Sequence, residues 1–210
     1  MPFVYTSEAL DNLDQSISIE RLASFLALAN ADRHKAILLY EHNRLLSEGF
    51  YGMLQGLEVA LRTSIHRVMS ADTLAPDWYD RANSLYQPES AAVNEAKANI
   101  PAGKPITPGR VVAQLTFGFW VKLLGRSYEK AFWVPHLYKA FPQLRKPDRK
   151  QVFDRMDKIR GFRNSIAHHE RILHRDLRNE YRQLVETLAW ICPVTASWVN
   201  LHNSVHYLIH

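Results

Sequence analysis

With 210 residues, 47% hydrophobic and 22% charged side chains and 8 glycines, the chain can bury a sizeable core and is too apolar to be disordered. A formal charge of +5 permits a polyanionic partner without requiring one. The single cysteine, Cys192, excludes an intramolecular disulfide framework and fits a reducing compartment.

The opening MPFVYTSEALDN shows no basic stretch followed by an apolar run, so no signal peptide is expected. SIERLASFLALAN reads as a helix with Ser18 as N-cap and an apolar face at Ile19, Leu22, Leu26 and Ala29. Asp32 opens a long helical pattern reaching about Ser70, with a core stripe at Phe50, Met53, Leu54, Leu57, Leu61, Ile65 and Val68. Gly49, Gly52 and Gly56 lower its helix propensity but would let another helix approach closely. Between Ala71 and Gly109, five prolines divide a segment with one modest helix, Pro88 to Asn99; it reads as a Pro-rich surface excursion from a single domain, residues 1–210.

Thr107-Pro108 looks like the N-cap and first position of a helix running to Leu124. Its apolar run, VVAQLTFGFWVKLLG, is broken by Gln114, Thr116 and Lys122 and is too short to span a bilayer, so no membrane association is expected. An aromatic-rich helix is expected from Ser127 to Phe141, kinked at Pro135. Asp148 opens the next, Arg175 to Ile191 forms another, and Pro193 interrupts a short last one. No strand pattern or internal repeat is seen, and the expected fold is an all-α bundle.

The segment IRGFRNSIAHHERI is the chemically unusual one. Val152, Met156, Ile159 and Ile166 form a stripe, and Arg163 falls on it. An inward arginine is costly unless a carboxylate, a phosphate or a partner chain answers it. Asn164 and His168, four apart, share a face. Arg163 and His168, five apart, diverge by about 140° on a regular helix. A long Arg side chain, a loosened helix end or a second subunit would be needed to reunite them. These residue types suit RNA cleavage. The 2′-hydroxyl is a built-in nucleophile, a histidine can take or supply its proton near neutral pH, and an arginine can hold two phosphate oxygens. No metal or cofactor is required.

Arg163-Asn164-Ser165-Ile166-Ala167-His168 resembles the R-x4-6-H motif of the HEPN superfamily, and RNSIAHHERI is similar to the version in abortive-infection (Abi-like) proteins. LQGLEVALRTSI and LTFGFWVKLL resemble further stretches of that family, so similarity runs from about Asn43 to Ile172. The resemblance implies a HEPN-like helical fold, often a homodimer, and metal-independent endoribonuclease activity with Arg and His lining a cleft between protomers. It further implies a role in phage defence or as a toxin restrained by a protein or RNA antitoxin. Arg163, Asn164 and His168 would be the catalytic residues in a cytoplasmic protein. A catalytically silent RNA- or protein-binding module is the competing reading.

Supporting roles fall to His169, to Glu58 and to Arg62, within the polar line Tyr51, Gln55, Glu58, Arg62 and His66. Glu58 is the carboxylate expected within reach of Arg163 or His168, in the same or the facing subunit. Arg171, Arg175, Arg178 and Arg182, together with RKPDRK (Arg145 to Lys150), read either as an RNA phosphate track or as a solvated face. The aromatics of FGFW and YEKAFW read as core. A trailing alternative is a metal site at His168, His169, Glu170 and His174, or at His202, His206 and His210. There is no Gly-rich phosphate loop and no serine nucleophile elbow.

Overall fold

A computed structural model describes residues 3–81 and 84–209. Side-chain caps set the first helix starts. Thr6 accepts the Ala9 N–H and opens α1 (Ser7–Ile17); Ser18 accepts the Arg21 N–H and opens α2 (Ile19–Leu28). Asp32 accepts the Lys35 N–H at 2.9 Å and opens α3 (Arg33–Thr73), 41 residues long. The remaining helices are α4 (Gln87–Ala98), α5 (Pro108–Gln114), α6 (Phe117–Leu123), α7 (Arg149–Ala167), α8 (Leu177–Ile191), α9 (Pro193–Leu201) and α10 (Val205–Leu208). The protein is all-α, with no strand among the described residues, and no described helix is long and apolar enough to cross a membrane.

α3 is the axle. Its stripe of Phe50, Met53, Leu57, Leu61 and Ile65 is fully buried, and α6, α7, α8 and α9 pack around it. Two of the three glycines do allow close approach. A Cβ at Gly49 would lie 2.9 Å from Val205 Cγ2, and one at Gly56 would lie 2.7 Å from Val199 Cγ2. Gly52 faces open space. The FGFW and YEKAFW aromatics are core, with Trp120 and Tyr128 fully buried.

Several expectations need correcting. The surface segment 71–109 also contributes to the main core, through Trp78, Tyr79, Val93, Ala96 and Ile100. Trp78 packs edge-on to Phe132 at 5.9 Å and donates its indole N–H to His66 Nδ1 at 3.2 Å. A large aromatic with one polar atom is most stable buried with that atom satisfied, and α3 offers both conditions. The helix expected from Thr107 to Leu124 breaks at Leu115, because the Thr116 hydroxyl caps a new start by accepting the Phe119 N–H. The break lets Leu115 and Phe117 both face inward. No continuous helix spans Ser127 to Phe141. A 3-10 turn (Arg126–Tyr128), a π turn (Glu129–Trp133) and a second 3-10 turn (Leu137–Ala140) replace it. Pro135 has no N–H to continue the ladder, and the widened turn buries both Phe132 and Trp133. α8 starts at Leu177 rather than Arg175, capped by Asp176.

Candidate active site

α7 starts where Asp148 accepts the Gln151 N–H at 2.6 Å. Its buried face is Val152, Met156, Ile159, Phe162 and Ile166. Phe162, not Arg163, takes the inward position next to Ile166, meeting Phe50 edge-to-face at 4.9 Å. Arg163 is therefore at the margin of the stripe, half-buried, a correction to its expected core-facing position. It makes no hydrogen bond or ion pair with any described residue, and the half-buried Asn164 stands beside it.

The helix ends abruptly. His168 N–H still reaches the Asn164 carbonyl at 2.9 Å, so the helix is regular up to its C-cap. The His169 N–H then turns back to the Ile166 carbonyl at 3.0 Å and the Glu170 N–H to the Ser165 carbonyl at 2.9 Å. This double closure is the Schellman arrangement, and it needs a left-handed residue. His169 supplies it, at φ 55°, where glycine is the usual choice. Because the helix does not loosen, Arg163 and His168 remain about 140° apart around its axis. The His168 side chain is exposed.

The chain beyond this turn is tied down by two helices, α2 and α3. Arg21 of α2 donates to the His169 carbonyl at 2.9 Å, and Arg171 reaches back to the Ser24 carbonyl at 3.4 Å. Asn43 of α3, only 5% exposed, uses both ends of its amide: Nδ2 donates to the Glu170 carbonyl at 3.2 Å, and Oδ1 accepts the Ile172 N–H at 2.7 Å. Sequence reasoning did not assign Asn43 a role. The available signal was an asparagine at helical spacing with the apolar stripe of Leu46 and Phe50.

The expected arginine track does not form one line. Arg175 points inward: it pairs with Glu180 at 3.0 Å, donates to Ser165 Oγ at 3.4 Å, and lies 5.3 Å from the centre of the Phe162 ring. It braces the motif helix against α8 and is withdrawn from any exposed track, because it precedes the helix start at Leu177. Arg178 donates to the Ile209 carbonyl and Arg182 to Asn179, both exposed on α8. Glu58 and Arg62 are half-buried, but make no ion pair with each other, and within the chain Glu58 pairs with neither Arg163 nor His168 among the described residues. His66, at the end of the same polar line, is occupied by Trp78, and burial pushes its imidazole below the ordinary value. Among the described residues no three His, Cys, Asp or Glu side chains gather as a metal-ligand set, and His210 lies outside the described residues. No family model, curated protein or solved structure matches the chain.

Proposed function

We propose that the protein is a metal-independent endoribonuclease of the HEPN, Abi-like type, with Arg163, Asn164 and His168 as its catalytic residues. One observation carries the reading. A half-buried guanidinium without a protein partner among the described residues stands beside Asn164 and five residues before an exposed histidine, at a helix end whose backbone is held by Asn43, Arg21 and a double turn. In this reading His168 removes the 2′-hydroxyl proton, the 2′-oxygen attacks phosphorus, and the bond to the 5′-oxygen breaks as that oxygen takes a proton from water; the hydroxide left behind takes the proton back from His168. Arg163 holds the non-bridging oxygens as charge builds, and Asn164 orients them.

The divergence of Arg163 and His168 favours a site completed by a second copy, with motif helices facing across a two-fold axis. Gly161 supports this: nothing in the chain lies within 4 Å of where its Cβ would be, so the bare backbone leaves room for another helix. Restraint by a protein or RNA antitoxin, in a phage-defence setting, belongs to the same proposal.

The test is incubation of purified protein with total RNA, with and without EDTA, beside His168→Ala. Cleavage that survives EDTA and is lost in the variant is expected, with 2′,3′-cyclic phosphate and 5′-hydroxyl ends. Cutting of substrates carrying 2′-deoxy or 2′-O-methyl at the scissile position, at the RNA rate, would overturn the mechanism. Full activity in a strictly monomeric protein would overturn the shared site.

A further inference from the structure

A second site stands apart from the motif, in the groove between α3 and the α8–α9 corner. Its cavity is about 580 Å³, within the range that small-molecule sites occupy. Gly52, Gly56, Val59 and Ala60 form one wall, with Ile191 and Trp198 opposite. No carboxylate lines it. Arg67 is the charged lining residue, exposed and without an ion-pair partner among the described residues.

The groove has a direction. Gly56 meets Val199 of α9 and Gly49 meets Val205 of α10, so the chain from α9 onward runs antiparallel to α3, and the N-terminus of α9, with Cys192 and Thr195, lines the groove with Arg67. Cys192, the N-cap of α9, lines the same end and accepts the Thr195 N–H at 3.5 Å. Hydrogen bonds from Thr195, and to a lesser degree the Arg67 charge, hold its thiol below the ordinary value. Positive potential therefore collects at one end of the groove. The other end is apolar and open: Trp198 is 60% exposed, Val59 is 40% exposed, and the space beside Gly52 is empty.

We infer that this groove binds a small apolar carboxylate, its anionic head at Arg67 and the α9 N-terminus and its hydrocarbon body along Val59, Ala60 and Trp198. A molecule with one charged end matches a groove with one charged end. A second copy fits less well, because a two-fold contact presents the same lining to itself, and that lining has no carboxylate to offer Arg67.

The experiment uses the full chain with dodecanoate and dodecylammonium below their micellar concentrations and dodecanol below its solubility limit, read by tryptophan fluorescence, for which Trp198 is an exposed reporter. Dodecanoate is expected to bind roughly tenfold more tightly than dodecanol, as one charge-assisted contact allows. Arg67→Gln removes that preference and leaves dodecanol binding unchanged. Gly52→Leu fills the open end and abolishes binding of both, with the helical circular dichroism retained. Dodecanoate also slows alkylation of Cys192, the chain's one thiol, by iodoacetamide. Equal binding of the three amphiphiles, undiminished binding in Gly52→Leu, or unprotected Cys192 overturns the inference. So does a wild-type dimer that Gly52→Leu converts to monomer, which assigns the groove to a second copy.

Discussion

Asn43→Ala is the most informative single change in the molecule. It deletes two hydrogen bonds that join α3 to the segment after the motif, at 3.2 Å and 2.7 Å. Each contributes about 1 kcal/mol net, and the loss strands the N–H of Ile172, a residue that is fully buried. Together the cost is about 2–3 kcal/mol, which for a chain of this size lowers the melting temperature by roughly 5–10 °C. Urea titration gives the first number and scanning calorimetry the second. Amide hydrogen exchange adds the local test: the Ile172 and Glu170 amides exchange faster well below the melting point. Asn43→Asp keeps the acceptor for Ile172 but turns a carboxylate toward the Glu170 carbonyl. That variant is expected to recover stability on acidification, because a carboxyl whose pKa is raised by burial regains a donor as pH falls through it. A loss below about 0.5 kcal/mol for Asn43→Ala, with Ile172 still protected, would show that the loop is held by something else.

Three further outcomes are expected. His169→Gly relieves the left-handed strain at φ 55° and raises stability by up to about 1 kcal/mol in thermal melts, whereas His169→Val lowers it. The half-buried His66 must bind a proton on unfolding at mildly acidic pH. Its folded pKa is lowered from 6.5, so stability is full above about pH 6.5 and declines below it, and His66→Gln flattens that part of a stability–pH profile. Gly52→Ala stabilises α3 by about 0.5–1 kcal/mol in urea titrations, while Gly56→Ala destabilises, because its Cβ would lie 2.7 Å from a branched, buried Val199 side chain.

The features that could be read from the chain are those that local chemistry decides. Ser18, Asp32 and Asp148 are N-caps because a short polar side chain ahead of an apolar period satisfies a free N–H wherever it occurs. Asn164 and His168 were legible together for a similar reason, since four-residue spacing fixes a shared face. α1 was missed because it buries no residue fully and is held by Arg33 to Asp11 and Asp14, each at 2.7 Å, a distant contact with no periodic trace. The break at Thr116 and the irregular turns from Arg126 to Ala140 arise from competition to bury aromatics, which propensity cannot rank. Asn43 escaped because its partners lie 127 and 129 residues further along the chain. Arg163 was placed one position too far inward: the stripe turns at Phe162 to meet Phe50, a ring that belongs to another helix.

The length of α3 locks distant contacts to one helical phase. Asn43 holds the motif loop, Gly49 and Gly56 admit the last helices, and His66 receives Trp78, all from one uninterrupted rod. Inserting a single residue between Asn43 and Gly49 would rotate everything downstream by about 100° and advance it by about 1.5 Å. Gly56 would swing away from Val199 while Asn43 stayed on its loop, and no local adjustment restores both. An inserted residue is therefore expected to be tolerated only outside α3, and the exposed connection 101–107, with Gly103 already at φ 83°, is the place that can absorb it.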